Sequence, residues 1–387
     1  MLLKLSEVLY APALKWKQGE YTALGPLPSH VRRRMLPIFM MPPPGSFDHE
    51  AGKILTPAEH IARFGTALEA NWAGHPAFID ALMIDTEPYI LACRGAHPLT
   101  ALLERSRLSK HKAFCAPATG LDRSEAYQHA VHRFAVDTPT LPICLRVDLA
   151  LLGEPGFEAS LRKLLKTIGV GPNRVVLSID VTGFDMSNTE LFADMLVDAL
   201  NQLPSLYDWH ALILSLCVLP ADLGVKVSQT KHFPRHDWAV YRALHAHHLD
   251  QKLLRLPIYS DYGIDAATFM PSAPVRPSAQ LRYTTPESIV VAKGLNTKNA
   301  GYEAIYPVAE GIASADFFMG DNFSYGDRAI AALAARSSST GTAATWKKIG
   351  FNHHYTLVDL ELCDLFGQPP GGGGSAVILE TQDSLFD

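Results

Sequence analysis

Polar residues two positions apart recur inside otherwise apolar runs of this 387-residue chain: Lys15 and Lys17 around Trp16, Arg146 and Asp148 around Val147, Ser178 and Asp180 around Ile179. Asp85 and Asp261 close two further runs. Side chains alternate along a strand, so each pair shares one face and the apolar residue between takes the other. Gathered together, three cations and four carboxylates would make a nearly neutral polar cup in which each charge lowers the burial cost of another. Lysine and arginine would hold an anion. The carboxylates would act as general acid or base, or hold a divalent cation through oxygen. The expected ligand is small and anionic, phosphorylated or nucleotide-like, and the most economical reaction is phosphoester hydrolysis with Mg²⁺ as cofactor. Asp148, Asp180 and Lys17 would carry the chemistry, and Lys15, Arg146, Asp85 and Asp261 would bind the ligand. A Schiff base at Lys15 or Lys17 is a lesser option. The plain alternative is an ion-pair network that fills a core and does no chemistry.

Strands must position these residues. Candidates are ALKWK (13–17), LPIFMM (36–41), ALMIDT (81–86), KAFCAPA (112–118), PICLRVDL (142–149), RVVLSIDV (174–181), HALILSLCVL (210–219) and LPIYSDYG (256–263). Helix-like stretches separate them. Thr56-Pro57-Ala58-Glu59 has the N-cap, first-turn Pro and third-position Glu of a helix start, and Phe157–Ile168 and Glu190–Leu203 repeat apolar residues near every 3.6 positions. Strands alternating with helices imply an α/β fold with a parallel sheet. The span 13–262 matches the roughly 250 residues of a (β/α)8 TIM-like barrel. A doubly wound sheet would carry a glycine-rich phosphate loop after an early strand, and neither GxGxxG nor GxxxxGK[ST] occurs. Barrel enzymes keep their chemistry at the carboxyl ends of the strands, where these polar residues fall.

The expected organisation is a barrel over 1–270, a C-terminal α+β extension over 271–366 packed on it, a flexible Gly/Pro linker over 367–375 and a peptide over 376–387. Within the extension, 271–285 is Pro- and Ser-rich and reads as an extended connection, SIVVAKG (288–294) reads as a strand, and an Ala-rich helix starts near Asp327 with Asp321 and Ser324 as turn or cap residues. The stretch 345–362 ends with strand-like alternation, which would put His353 and His354 on opposite faces. His245, His247 and His248 lie on a helix-like segment and read as a solvated face in preference to a zinc site.

Composition excludes several classes. Net charge is −5, and no basic block exceeds Arg32–Arg34, so direct nucleic-acid binding is not evident. Five cysteines form no CxxC pair and read as buried free thiols in a reducing compartment. The N-terminus lacks a signal-peptide pattern, and no apolar run reaches the roughly eighteen residues of a membrane span. A cytoplasmic protein is expected, with no membrane partner.

Three segments, YAPALKWKQGEY (10–21), GDNFSYGDRAI (320–330) and W…IGFNHHYTLV (346–358), resemble the beta protein family, named from a protein of a T-even bacteriophage. The resemblance runs from about Tyr10 to Leu362. It implies a barrel and a pocket, an activity that is not established, and a role in phage–host conflict. By resemblance Lys15, Trp16, Lys17 and Glu20 occupy the first motif, with Glu20 joining the ligand-binding set, and His353 and His354 the last. The second strand departs from the family, which carries an acidic residue where this chain reads IFMMPPPG. Any reaction needing that carboxylate would be lost here.

The end of the chain, GGGGSAVILETQDSLFD, holds Gln382, Leu385 and Phe386 at the spacing of the peptide by which replication and repair proteins hook onto the DNA sliding clamp. An apolar pair filling a pocket and an oriented amide suit a tethered peptide that loses entropy on docking. A final packed strand, AVILE, or an engineered linker would explain the same residues.

Overall fold

Eight strands run parallel in sequence order: β1 (Ala13–Lys15), β2 (Ile38–Met40), β3 (Ala77–Asp80), β4 (Cys115–Gly120), β5 (Ile143–Asp148), β6 (Val175–Asp180), β7 (Ala211–Leu216) and β8 (Ile258–Asp261). Each pairs with the next. The ring nearly closes where Tyr10, just before β1, bridges Tyr259 of β8 in parallel, and the Ala11 N–H donates to the Tyr259 carbonyl at 2.8 Å. The computed structural model describes residues 5–45, 47–48, 51–108, 115–269 and 276–370, so the clamp-like residues Gln382, Leu385 and Phe386 lie outside the described residues. Two compact units divide the chain: the barrel takes 1–16, 33–221 and 236–273, and the second unit takes 17–32, 222–235 and 274–387.

The barrel is the expected (β/α)8 fold, and its sequence shows why. Val175–Ile179 and all of β7 are buried, as a parallel sheet covered on both faces requires. The helix Pro57–Trp72 opens with a reciprocal Thr56–Glu59 capping box. Phe157–Ile168 buries Phe157, Leu161, Leu164 and Ile168 on one stripe, each stabilising the packed state by roughly 1.5–3 kcal/mol relative to exposure. Glu190–Leu203 is found as Thr189–Asn201, capped by Asn188. Trp16 turns away from the lumen onto Phe39 and Phe64, at 4.6 and 4.9 Å between ring centres.

Two strand expectations need correction. The third strand is Ala77–Asp80, and residues 82–84 of the expected ALMIDT form a 3₁₀ turn. AFIDALMI is one continuous apolar run with a single break at Asp80; the strand stops there because the Asp80 carboxylate accepts the Leu82 N–H at 3.0 Å and turns the chain. The first strand ends at Lys15; Lys17, extended, occupies the N-cap of the short helix Gln18–Tyr21 and belongs to the second unit.

The second unit holds a three-stranded antiparallel sheet with Ser288–Asn296 in the middle, between Gln229–Pro234 and Ser278–Thr284. Ser278–Thr284 thus pairs as a strand inside the stretch expected to be only a connection. Helices Ile305–Ala313, Tyr325–Ala334 and Ala343–Leu365 supply the rest. Leu281, Val290, Ile305, Ile330, Leu333, Trp346 and Ile349 form the core. Ser324 caps the Ala-rich helix, as expected. The strand-like reading of 345–362 is overturned: Thr342 starts a 23-residue helix there, and His353 and His354 are buried in its interior. That helix is covered on most sides, so polar residues do not mark an outer face and the helical period is lost. Among the described residues no helix is long and apolar enough to cross a membrane.

Candidate functional site

At the carboxyl end of the barrel, Arg146 near the end of β5 organises the mouth. Its Nη1 donates to Asp80, the last residue of β3, at 2.8 Å, and lies 3.1 Å from the Met40 sulfur of β2. Its Nη2 donates to Asp180, the last residue of β6, at 3.1 Å and to the Tyr262 phenol oxygen, just past β8, at 3.0 Å. Tyr262 in turn donates to the same Asp180 oxygen. Arg123, in the turn after β4, adds a second bond to Asp80 at 2.9 Å. Six strand ends therefore contribute to one network.

Both oxygens of Asp80 and of Asp180 are engaged. Asp80 accepts Leu82 N–H, Arg123 and Arg146. Asp180 accepts the Thr182 N–H and hydroxyl on one oxygen, and Arg146 and Tyr262 on the other. Burial pushes the Asp80 carboxyl up, but Arg123 and Arg146 outweigh it and hold it below the ordinary carboxylate value. Burial would lower Arg146, and Tyr262, Asp80 and Asp180 together reverse that and raise it well above its usual value. Burial, with Asp180 working against the opposing charge of Arg146, pushes the Tyr262 phenol upward, so it stays a neutral donor.

Of the residues singled out by sequence, Arg146 and Asp180 meet directly. Asp148 sits opposite Asp180 in the strand register, exposed, capping the turn Leu149–Gly153 through the Ala150 N–H at 2.8 Å. Lys15 is buried on the lumen face beside Met40, and donates to the Ala266 carbonyl with Asp265 at 3.8 Å. Asp261 faces the helix layer: it accepts the Tyr10 hydroxyl at 2.5 Å, while Ser260 next to it points inward to Ser215 at 2.8 Å. Asp85, just past the 3₁₀ turn that follows β3, pairs with His97 at 3.0 Å. Lys17 and Glu20 lie in the second unit. Asp148, Lys15, Asp261 and Asp85 make none of the bonds of the Arg146 network. His247 faces Asp194 at 3.2 Å and His248 lies 2.8 Å from the Leu253 carbonyl. No group of three or more His, Cys, Asp or Glu among the described residues could hold a metal ion. None of the five cysteines forms a disulfide; three are buried and two half-buried. An apolar concavity of about 370 Å³, lined by Leu149, Phe157, Phe184, Met195 and Leu203, shares no residue with the mouth network.

Sequence reasoning missed Asp80, Arg123 and Tyr262. Counting by two from Ser260 would have put Tyr262 on the lumen face. Asp80 was hidden by the misplaced strand, and Arg123 sits in a turn, three residues beyond a strand end, where no pattern marks it.

The second unit holds a separate polar cluster. His353 places Nδ1 2.8 Å from Asp327 and Nε2 2.7 Å from the Thr284 carbonyl, and its ring stacks on Tyr283 at 3.9 Å. Asp327 also accepts the Tyr283 hydroxyl at 2.8 Å and the Ser324 hydroxyl at 2.5 Å. His354 Nδ1 lies 2.9 Å from the Thr284 hydroxyl. Asn352 accepts the Gly326 N–H at 3.0 Å and donates to the Ala23 carbonyl at 3.1 Å. Two glycines allow the long helix its neighbours: a β-carbon on Gly326 would fall 2.3 Å from the Ile349 carbonyl oxygen, and one on Gly19 would fall 2.6 Å from Lys347 Cβ.

Fold and mouth together define a (β/α)8-barrel protein with a polar network at the carboxyl ends of its strands. The chain belongs to the Beta protein family, whose profile matches residues 10–358. No curated protein matches it. Among solved structures, the ChiA C-terminal domain of Legionella pneumophila is similar at 12% identity, over 53% of this chain and 75% of that one, with a TM-score of 0.27.

Proposed function

We propose that the protein acts on a small phosphorylated or nucleotide-like ligand at the barrel mouth, by phosphoester hydrolysis. The observation that carries this is Arg146, buried yet still part-exposed at 14%, bridging Asp80 and Asp180 at the carboxyl rim with Asp148 free to solvent alongside. Arginine is suited to a phosphate, and Asp148 is a rim carboxylate with an oxygen to spare for activating water. Mg²⁺ is commonly held by one or two carboxylates together with the substrate's own phosphate, so the exposed Asp148 suits a cation that arrives with its ligand. Thermal-shift titration with nucleotides and Mg²⁺ or Mn²⁺, followed by phosphate release, tests this. Asp148→Asn should abolish both responses without moving the melting temperature. A wild-type protein that responds to no phosphate compound rules the reading out.

A second reading, a non-catalytic recognition or scaffold protein in phage–host conflict, draws on the saturation of Asp80 and Asp180, since a network with no idle carboxylate oxygen also suits a purely structural plug. Under that reading the sliding-clamp peptide at Gln382, Leu385 and Phe386 would localise the protein. Deleting 376–387 would then abolish the cellular phenotype, and rim substitutions would not.

A further inference from the structure

Tyr262 sits between opposite charges in the mouth network. Its phenol is a donor to Asp180 and an acceptor from Arg146 through a single oxygen. A bare oxyanion placed there would satisfy Arg146 and repel Asp180; an ammonium would do the reverse. A hydroxyl satisfies both, because it carries a donor and acceptors on one atom. The charges on either side of it are already partnered: Arg123 and Arg146 face Asp80, Asp180 and the exposed Asp122. An oxygen that donates to Asp180 and accepts from Arg146 suits this point better than a group of either full charge.

The segment carrying Tyr262 straps onto the mouth. Gly263 follows in a left-handed turn with φ +59°. Asp265 and Ala266 then meet Lys15, and the Cys217 sulfur lies 3.7 Å from the Asp265 carbonyl. Lys15 Nζ stands 5.8 Å from the centre of the Phe269 ring.

We infer that Tyr262 holds the place of a ligand hydroxyl, and that the mouth therefore takes a hydroxylated phosphate compound, of the sugar-phosphate or nucleotide class, whose hydroxyl displaces the phenol from Asp180 and Arg146. This rests on the phosphate reading above and narrows it. A site built to bond a hydroxyl rejects analogues that lack one far more strongly than an apolar pocket rejects a missing methylene, because its own buried polar groups are left unpaired.

Chemical complementation tests the hydroxyl separately from the phosphate. In Tyr262→Ala, phenol should raise the melting temperature and toluene at equal concentration should not. The same variant should bind ribose 5-phosphate with Mg²⁺ roughly tenfold or more tightly than inorganic phosphate with Mg²⁺. If Tyr262→Ala does not fold, Tyr262→Phe serves: it should melt below the wild type because Asp180 and Arg146 each lose a partner. Equal effects of phenol and toluene, a Tyr262→Phe protein as stable as the wild type, or equal affinity for the two phosphates would overturn the inference. Phenol selectivity with no phosphate compound bound by any variant would sink the phosphoester reading and leave hydroxyl recognition standing.

Discussion

Two polar clusters built from similar residue types meet very different surroundings. At the barrel mouth, Arg146, Asp80, Asp180 and Tyr262 come from separate strand ends, and Arg146 and Asp180 retain 14% and 19% side-chain exposure. In the second unit, Asp327 and His353 have none, and their partners come from the sheet and from the turn that starts a neighbouring helix. The segments that carry the family resemblance fall largely on this second cluster: Gly19, Ser324, Gly326, Asp327, Asn352 and His353 all pack or bond around the long helix Ala343–Leu365. Within the barrel unit, the first of these segments supplies Lys15 and Trp16. The motifs thus mark close packing around the long helix, while Asp80, Arg123, Arg146, Asp180 and Tyr262 lie in none of them.

Substitutions should separate the two clusters by size of effect. Asp327→Ala leaves a buried imidazole without its carboxylate, and His353→Ala leaves the carboxylate without its imidazole; each should cost about 3–5 kcal/mol in chemical denaturation. Gly326→Ala forces backbone apart where the helices touch, with a loss of about 1–3 kcal/mol. Arg146→Met should cost less, about 1–2 kcal/mol, because Asp80 keeps Arg123 and Asp180 keeps Tyr262 and Thr182. Asp148→Asn, on the exposed rim with its cap retained, should stay within about 0.5 kcal/mol. If Arg146→Met proves as damaging as Asp327→Ala, the mouth is as much a folding determinant as the buried cluster and the contrast collapses.

Acid sharpens the same comparison. The Asp80 carboxyl is held below its ordinary value of 3.8 in the folded protein. A lowered folded value means the unfolded chain takes up the proton first, so the stabilisation is complete above 3.8 and fades as pH falls through the lower folded value. Arg146→Met removes one of the two cations responsible. Its stability should therefore fall less steeply than the wild type's as pH drops below the carboxylate range, a difference that denaturation curves at several acidic pH values would show.

Long runs buried on both faces made β5, β6 and β7 legible, and the parallel order followed from their alternation with helices. The four-residue β3 was not legible, because the apolar residues 77–79 and 81–84 flank Asp80 as one run and periodicity does not say which half pairs. That error moved the supposed rim carboxylate from Asp80 to Asp85. Alternation paired Arg146 with Asp148 correctly on one face, yet it could not tell that Asp148, the last residue of β5, would lie in solvent. His353 and His354 were visible as a pair and opaque in role, since a helix enclosed by its neighbours shows neither the period of a strand nor the stripe of a surface helix.

Closure of the ring through Tyr10 and Tyr259 sets a condition on biosynthesis. The first strand leaves the ribosome long before its last neighbour is made, and until Tyr259 emerges β1 and β7 both present unsatisfied edges. Such long-separated contacts form slowly, and open edges invite pairing between chains. A chain interrupted before β8 would therefore be expected to aggregate, which would make this protein a demanding client during translation, whatever its mouth goes on to bind.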